Sequence, residues 1–175
     1  MTIQYLEETK AMYLEATRGL TVAQWRFQPA PETWSVAECA EHIAVVEDRV
    51  FTLVQNMASG PEALPEEMAQ AEGKEELILK RVPSRVRKTP APAAMLPANR
   101  WPAPEDLIAQ LIQVRDRTIA FARSMDGRLR YRIAPHFALG ALNGEQWLLF
   151  VAAHSERHVN QIMEVKADPG YPAGR

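Results

Sequence analysis

Three long segments of the chain repeat a spacing of four and three residues between apolar positions. The best marked of them runs through Cys39, Ile43, Val46, Val50, Leu53 and Met57. Residues 107–125 and residues 147–165 follow the same steps. Because residues spaced in this way fall on one face of an α-helix, the pattern predicts amphipathic helices that each bury one stripe.

Local signals predict where these helices begin and end, and they predict a fourth long helix. A capping box pairs a short polar residue with a Glu or Gln three positions later, and each side chain satisfies a free backbone N–H. Such pairs are Thr21 with Gln24, Ser35 with Glu38, and Asn143 with Gln146. Together with prolines at helix starts and glycines past helix ends, they predict long helices over residues 3–19, 36–58, 104–125 and 143–165 and a short turn after residue 21.

The segment between the second and third predicted long helices, residues 60–100, is rich in proline. It predicts at most one helix, near residues 74–81, and it is long enough to return the chain along the whole bundle so that the flanking helices lie parallel. Its basic part, residues 81–92, is interpreted either as a solvated charge run or as a surface for an anionic thiol or acid. Residues 130–140 are expected to connect the last two helices, and no alternating run of useful length predicts a strand. The expected fold is therefore all-α, a four-helix bundle with a long crossover, over residues 1–168 with a tail at 169–175.

Composition excludes several classes of function. The 175 residues suit one domain, and a net charge of −2 argues against a nucleic-acid partner. The longest apolar run, residues 147–153, is far short of the ~20 residues of a membrane span, and the first residues do not resemble a signal peptide. A single cysteine, Cys39, forbids an internal disulfide and suits a reducing cytoplasm.

Three histidines occupy positions on the apolar stripes. His154 and His158 lie four residues apart, which places both on one helix face, and His42 lies on the core-facing side of the second long helix. An unpaired buried polar group costs about 1–3 kcal/mol, and one divalent ion would satisfy all three imidazoles. Three protein ligands with an open position are typical of a catalytic metal site. The alternative is that each histidine has its own hydrogen-bond partner.

Four other residues are weighed beside this set. Gln161, one turn beyond His158, is expected either to orient a ligand histidine or to be satisfied by the backbone. His136 is interpreted as a solvated loop residue, with a fourth ligand, a substrate contact or a structural anchor as alternatives. Cys39 is expected to pack in the core rather than to react or bind metal. Glu38 serves a cap and is not expected to act as a general base.

Two stretches resemble the DinB-like (DinB/YfiT) metalloprotein superfamily. Residues 34–43 (WSVAECAEHI) look like its W-S-x-x-E-x-x-x-H segment, and residues 154–162 (HSERHVNQI) look like its H-x-x-R-H-x-x-Q block. Further similar positions are His136, Phe137, Gly140, Gln146, Trp147 and Leu148. The resemblance extends from about residue 5 to residue 166.

This resemblance implies a four-helix bundle with long connections and a divalent ion, zinc or nickel, held by three histidines. His42, His154 and His158 stand at the matching positions. It also implies a homodimer, and a relationship to thiol-dependent transferases and isomerases that use bacillithiol or mycothiol. A low-molecular-weight thiol is therefore a possible cofactor.

Two classes of function follow, with a third as their alternative. An enzyme would use the ion to activate a water or a thiol, as a hydrolase or a thiol S-transferase acting on a small molecule. A non-catalytic, stress-associated dimer would hold the same ion for stability or sequestration. The third hypothesis is a helical interaction protein without a metal.

Overall fold

The fold, taken from a computed structural model, is described for residues 1–87 and 89–174; Lys88 of the basic segment and Arg175 of the predicted tail lie outside this description. Along these ranges the helices are α1 (Thr2–Thr17), α2 (Val22–Arg26), α3 (Val36–Ser59), α4 (Pro65–Ala71), α5 (Lys74–Arg81), α6 (Pro104–Met125) and α7 (Gly144–Lys166). None of these helices of the described chain is at once long and apolar enough to cross a membrane.

The four long helices, α1, α3, α6 and α7, pack as a bundle, which confirms the predicted fold class. Ion pairs and ring contacts show how they run. Residues further along α3 contact residues further along α6, in the pairs Glu47–Arg115, Asp48–Arg117 and Phe51–Phe121. Helices α3 and α6 are therefore parallel, as the long crossover between them predicts.

Helix α3 begins where its capping box predicts. The Ser35 side chain accepts a hydrogen bond from the backbone N–H of Glu38, and the Glu38 carboxylate accepts one from the N–H of Ser35. The predicted stripe of α3 is buried except at the half-buried Leu53. Capping boxes of the same kind begin α2 and α7. Local signals therefore set the starts of α3 and α7, the two helices that carry His42, His154 and His158.

The connection between α6 and α7 contains two short strands, and the expectation of no strand was wrong there. Strands β1 (Ile133–His136) and β2 (Gly140–Asn143) pair antiparallel, with His136 opposite Gly140. Lys74 Nζ, on α5, donates to carbonyl oxygens of the hairpin, and Trp147 Nε1 donates to Ala134 O. Strands of four residues carry too little pattern to be recognised, and contacts from distant helices stabilise these two.

The crossover is more ordered than expected. Helix α5 coincides with the predicted helix over residues 74–81, but α4 and a 3₁₀ turn at Ala93–Met95 were not predicted. Pro65 stands at the first position of α4, where a missing N–H costs nothing, and acidic residues follow it in the first turn. A proline of the segment that was predicted to hold at most one helix is therefore itself a helix start.

Candidate metal centre

Three imidazoles from two helices meet at one point of the bundle. His42 lies in the second turn of α3, and His154 and His158 lie on α7. Nε2 of His154 is 3.2 Å from Nε2 of His42 and 3.2 Å from Nε2 of His158. Bonds of about 2.0–2.1 Å at tetrahedral angles would hold ligand nitrogens about 3.3 Å apart, so these separations fit a shared ion.

The partners of two rings determine which nitrogen carries the proton. His42 Nδ1 lies 2.8 Å from the carbonyl oxygen of Met95, which only accepts hydrogen bonds, so this nitrogen is the donor. His158 Nδ1 lies 2.9 Å from Oε1 of Gln161. Oε1 also accepts from Arg85 Nη1 at 3.2 Å, which identifies it as the oxygen of the amide. Both neutral rings therefore present the lone pair of Nε2 to the centre.

This arrangement leaves His154 with two acceptors and at most one proton at Nε2. One N–H cannot make two well-aligned hydrogen bonds, so hydrogen bonds among the three rings alone leave at least one nitrogen poorly satisfied. A cation at the same point would accept all three lone pairs. The donor set is thus chemically suited to a divalent ion.

Burial keeps these imidazoles neutral, which is the form that binds metal. Desolvation lowers the pKa of His158 to about 3, and the neighbouring His42 adds to the effect. Desolvation also lowers the pKa of His42, and that of His154 lies well below its usual range for the same reason and because of the two nearby rings. Near neutral pH the centre therefore presents three neutral ligands.

Aromatic side chains pack against the three imidazoles. The Trp34 ring stacks on His158 with a centroid distance of 5.8 Å, and it makes a tilted contact with the His42 ring at a centroid distance of 4.8 Å. The Phe150 ring contacts His154 with a centroid distance of 5.5 Å. These contacts restrict the ring planes, so the convergence of the nitrogens is built into the packing of the core.

The centre opens into a cavity of about 1340 Å³, large enough for a small-molecule substrate. Part of its wall is apolar and is formed by Val46, Val50, Met95, Leu96, Trp147 and Phe150. Another part carries five basic residues and three acidic ones: Lys80, Arg81, Arg85, Arg87 and Arg157, with Glu32, Glu164 and Asp168. A substrate with an apolar body could therefore contact the histidines and basic side chains within the same cavity.

The basic segment of the crossover is tied to α7. Arg85 donates to both carboxylate oxygens of Glu164 and to Gln161, and so links the crossover to the residue that is hydrogen-bonded to His158. The Arg157 guanidinium donates to backbone carbonyl oxygens of Ser84 and Arg87. Part of the segment therefore packs against α7, a role that neither interpretation of the sequence, a solvated charge run or an anion site, had included.

The remaining candidates of the sequence analysis take different places. Gln161 contacts His158, as expected of an orienting residue. His136 is buried, not solvated, and does not belong to the three-histidine cluster. Cys39 is buried in the core, where desolvation raises the pKa of its thiol, so it packs as expected. Glu38 is held by its cap.

Met95 and Arg85 were missed by sequence reasoning. Met95 holds His42 through a backbone carbonyl, which any residue could supply, and therefore leaves no signal in the sequence. Arg85 was noticed only as a member of a basic run. Its distance of 76 positions from Gln161 hides the contact from any local pattern.

Comparisons with known proteins identify the family and the fold. The sequence profile of the DinB superfamily matches residues 5–162. The uncharacterized protein YuaE of Bacillus subtilis (strain 168) is 27% identical over 151 residues, which cover 85% of this chain and 87% of that protein. YfiT from Bacillus subtilis, described as a probable metal-dependent hydrolase with an unusual four-helix bundle topology, has a similar fold. Its TM-score is 0.60 at 18% identity, over 98% of this chain and 87% of that one.

Proposed function

The chain belongs to the DinB superfamily, and we propose that it is a metal-dependent hydrolase of a small molecule. His42, His154 and His158 would hold the divalent ion. The observation that carries the proposal is the convergence of three Nε2 atoms, two of them with lone pairs fixed toward the centre by Met95 and Gln161. The fold likeness to YfiT, itself described as a probable metal-dependent hydrolase, supports the choice of reaction.

Three neutral ligands leave the double positive charge of the ion uncompensated. Such an ion supplies a Lewis acid that lowers the pKa of water or of a thiol and polarises a carbonyl group. The residues around it bind and orient the substrate. The apolar wall, with Phe150 and Val46, takes its apolar part, and Trp34 shields the histidines from one side.

Thiol transfer is the second candidate reaction. The basic wall of the cavity favours it, since the arginines at positions 81 and 87 would suit an anionic thiol such as bacillithiol or mycothiol. The choice between zinc and nickel, the thiol, the homodimer and the cytoplasmic location all stay predictions. So does the non-catalytic alternative, in which the ion is bound without turnover.

Metal binding is tested on protein purified without an affinity tag. We expect calorimetric titration with zinc and with nickel to give one ion per chain, and His154→Ala to weaken binding by more than about 100-fold, since even the residues that orient metal ligands contribute 10–100-fold. Met163→Ala, at an exposed position of the same helix, serves as the matched control. Equal binding by wild type and His154→Ala would contradict the proposal.

Turnover is tested separately. A panel of carboxylic esters and amides examines hydrolysis, and a chloro-aromatic electrophile with bacillithiol, mycothiol or glutathione examines thiol transfer. Metal-dependent hydrolysis would support the proposal, and metal-dependent conjugation would favour the second reaction. Metal binding without either activity would favour the non-catalytic alternative.

A further inference from the structure

A fourth histidine, His136, lies in the wall of the same cavity. It ends strand β1 and is 6% exposed. Its ring stacks on Phe137 with a centroid distance of 4.7 Å and an interplanar angle of 23°, and it meets the Phe150 ring in a T-shaped contact with a centroid distance of 4.6 Å. The ring is therefore held in place by packing on two sides.

Backbone groups determine the tautomer of this ring. Nδ1 of His136 accepts hydrogen bonds from the backbone N–H groups of Ala138 and Leu139, at 3.1 Å and 3.2 Å. Since both partners are donors, Nδ1 carries the lone pair and the single proton of the neutral ring is on Nε2. Burial lowers the pKa of His136 to about 4, so the ring stays neutral at physiological pH.

The Nε2–H group makes no hydrogen bond to the described residues, and the ring borders the cavity although only 6% of the residue is exposed. His136 lines the cavity together with the three histidines of the metal centre. Phe150 contacts both His136 and His154, with centroid distances of 4.6 Å and 5.5 Å, so both imidazoles adjoin the same aromatic ring. A fixed, uncharged donor thus stands beside the centre without a partner.

We propose that His136 donates a hydrogen bond from Nε2 to the carbonyl oxygen of the substrate, and that the substrate is a carboxylic ester or amide with an apolar acyl group. This inference rests on the proposed hydrolytic function. In the reaction, the oxygen of water bonds to the acyl carbon and the bond from that carbon to the alcohol oxygen or amine nitrogen breaks. One proton of water passes to the leaving group, and the other product is a carboxylic acid.

The chemistry of the donor favours a carbonyl oxygen. When water attacks an acyl carbon, negative charge develops on that oxygen, and a donor fixed in advance stabilises it without reorganisation. A neutral imidazole suits this role because it keeps its proton while it polarises the carbonyl group. The adjacent apolar wall, with Val46, Val50 and Phe150, provides the space for the acyl group.

Two substitutions separate the donor from the structural role of the ring. His136→Asn places an amide oxygen near the position of Nδ1, which retains the acceptor for Ala138 and Leu139 and removes the donor. His136→Gln places an amide nitrogen near the position of Nε2, which retains a donor and removes the acceptor. Benzoate, a carboxylate with an aromatic body, is the probe, and its affinity for the zinc-loaded protein is measured by calorimetry.

We expect benzoate to bind the zinc-loaded wild type and His136→Gln with similar affinity, and to bind His136→Asn about tenfold more weakly, a typical loss for one hydrogen bond to a charged acceptor. In the wild type, ¹⁵N NMR of labelled histidine is expected to show a protonated Nε2 in His136 whose signal shifts on addition of benzoate. A purely structural ring predicts the reverse order of the two variants.

Wild-type affinity in His136→Asn, or no binding of benzoate to the zinc-loaded wild type, would overturn this inference. Zinc stoichiometry is measured first in all three proteins, so the two proposals fail in different ways. A wild type that takes up no zinc overturns the proposed function, and this inference with it. A wild type with one zinc but an unaffected His136→Asn overturns the role of His136 alone.

Discussion

Nε2 of His42 lies 3.2 Å from Nε2 of His154, although the two residues are 112 positions apart in the chain. Each stands on the buried stripe of its helix, in a position that apolar residues occupy in neighbouring turns. The geometry of the centre therefore depends on the packing of α3 against α7. Substitution of a residue that is hydrogen-bonded to a ligand histidine should change metal affinity. Substitution of a buried charged residue should change the free energy of unfolding.

The amide of Gln161 is expected to tune metal affinity through His158. Gln161→Leu removes the oxygen that accepts from His158 Nδ1, and we expect zinc affinity to fall about 10–100-fold, as is usual for partners of ligand histidines. Gln161→Glu keeps an oxygen acceptor at this place and should bind at least as tightly as wild type. Competition with a chromogenic chelator measures both, and equal affinity in the leucine variant would exclude an orienting role.

The metal-free protein should lose stability as the pH falls from 7.5 to 5. The pKa of His158 is about 3 and that of His136 about 4 in the folded state, against 6.5 in an unperturbed histidine. Between those values the unfolded chain binds protons that the folded chain does not, so the free energy of unfolding decreases as pH is lowered through 6.5. Each such histidine contributes up to about 1.4 kcal/mol per pH unit.

Urea unfolding at several pH values measures this slope. His158→Ala serves as the comparison, since it lacks one of the titrating groups and should show a shallower dependence. A wild type whose stability is unchanged from pH 7.5 to pH 5 would show that the rings are not held neutral by burial.

A buried ion pair should contribute far more to stability than its exposed neighbour. Arg115 and Glu47 pair inside the bundle with 1% and 2% of their side chains exposed. Because one partner left alone would be an uncompensated buried charge, we expect Glu47→Ala to cost about 3–5 kcal/mol in urea unfolding. Asp48→Ala breaks the exposed pair with Arg117, one position along the same helix, and should cost less than about 1 kcal/mol. Equal losses in the two variants would contradict this assignment.

The ends of the long helices could be predicted from the sequence because the signals that set them are local. The two residues of the capping box, Ser35 and Glu38, are only three positions apart, and the observed α3 begins at the predicted residue. The convergence of His42 with the pair on α7 could also be predicted, since the stripe of a bundle helix must face the common core. These inferences need only the helical repeat and the position of each residue within it.

The environment of the histidines could not be predicted in the same way. Met95 and Arg85 belong to the crossover, where no repeat relates a residue to its neighbours in space. His136 is buried because the hairpin β1–β2 packs on Trp147 and Phe150, and strands of four residues leave no readable pattern. Contacts made by irregular segments depend on the finished bundle and are therefore invisible to local analysis.

Cys39 should be inert in the folded protein. It is fully buried, and desolvation raises the pKa of its thiol, so little thiolate is present at pH 8. We expect 5,5′-dithiobis(2-nitrobenzoic acid) to label it in urea and not in buffer. Rapid labelling of the native protein would show a reactive cysteine one turn from His42 and would reopen its role as a ligand.

X-ray absorption spectroscopy of the zinc-loaded, tag-free protein tests the central claim most directly, because it identifies the atoms bound to the ion. We expect three imidazole nitrogens at about 2.0–2.1 Å, with the outer-shell scattering typical of histidine rings, and no sulfur. A sulfur shell at about 2.3 Å, or a spectrum without imidazole scattering, would contradict the assignment of His42, His154 and His158 as the ligands.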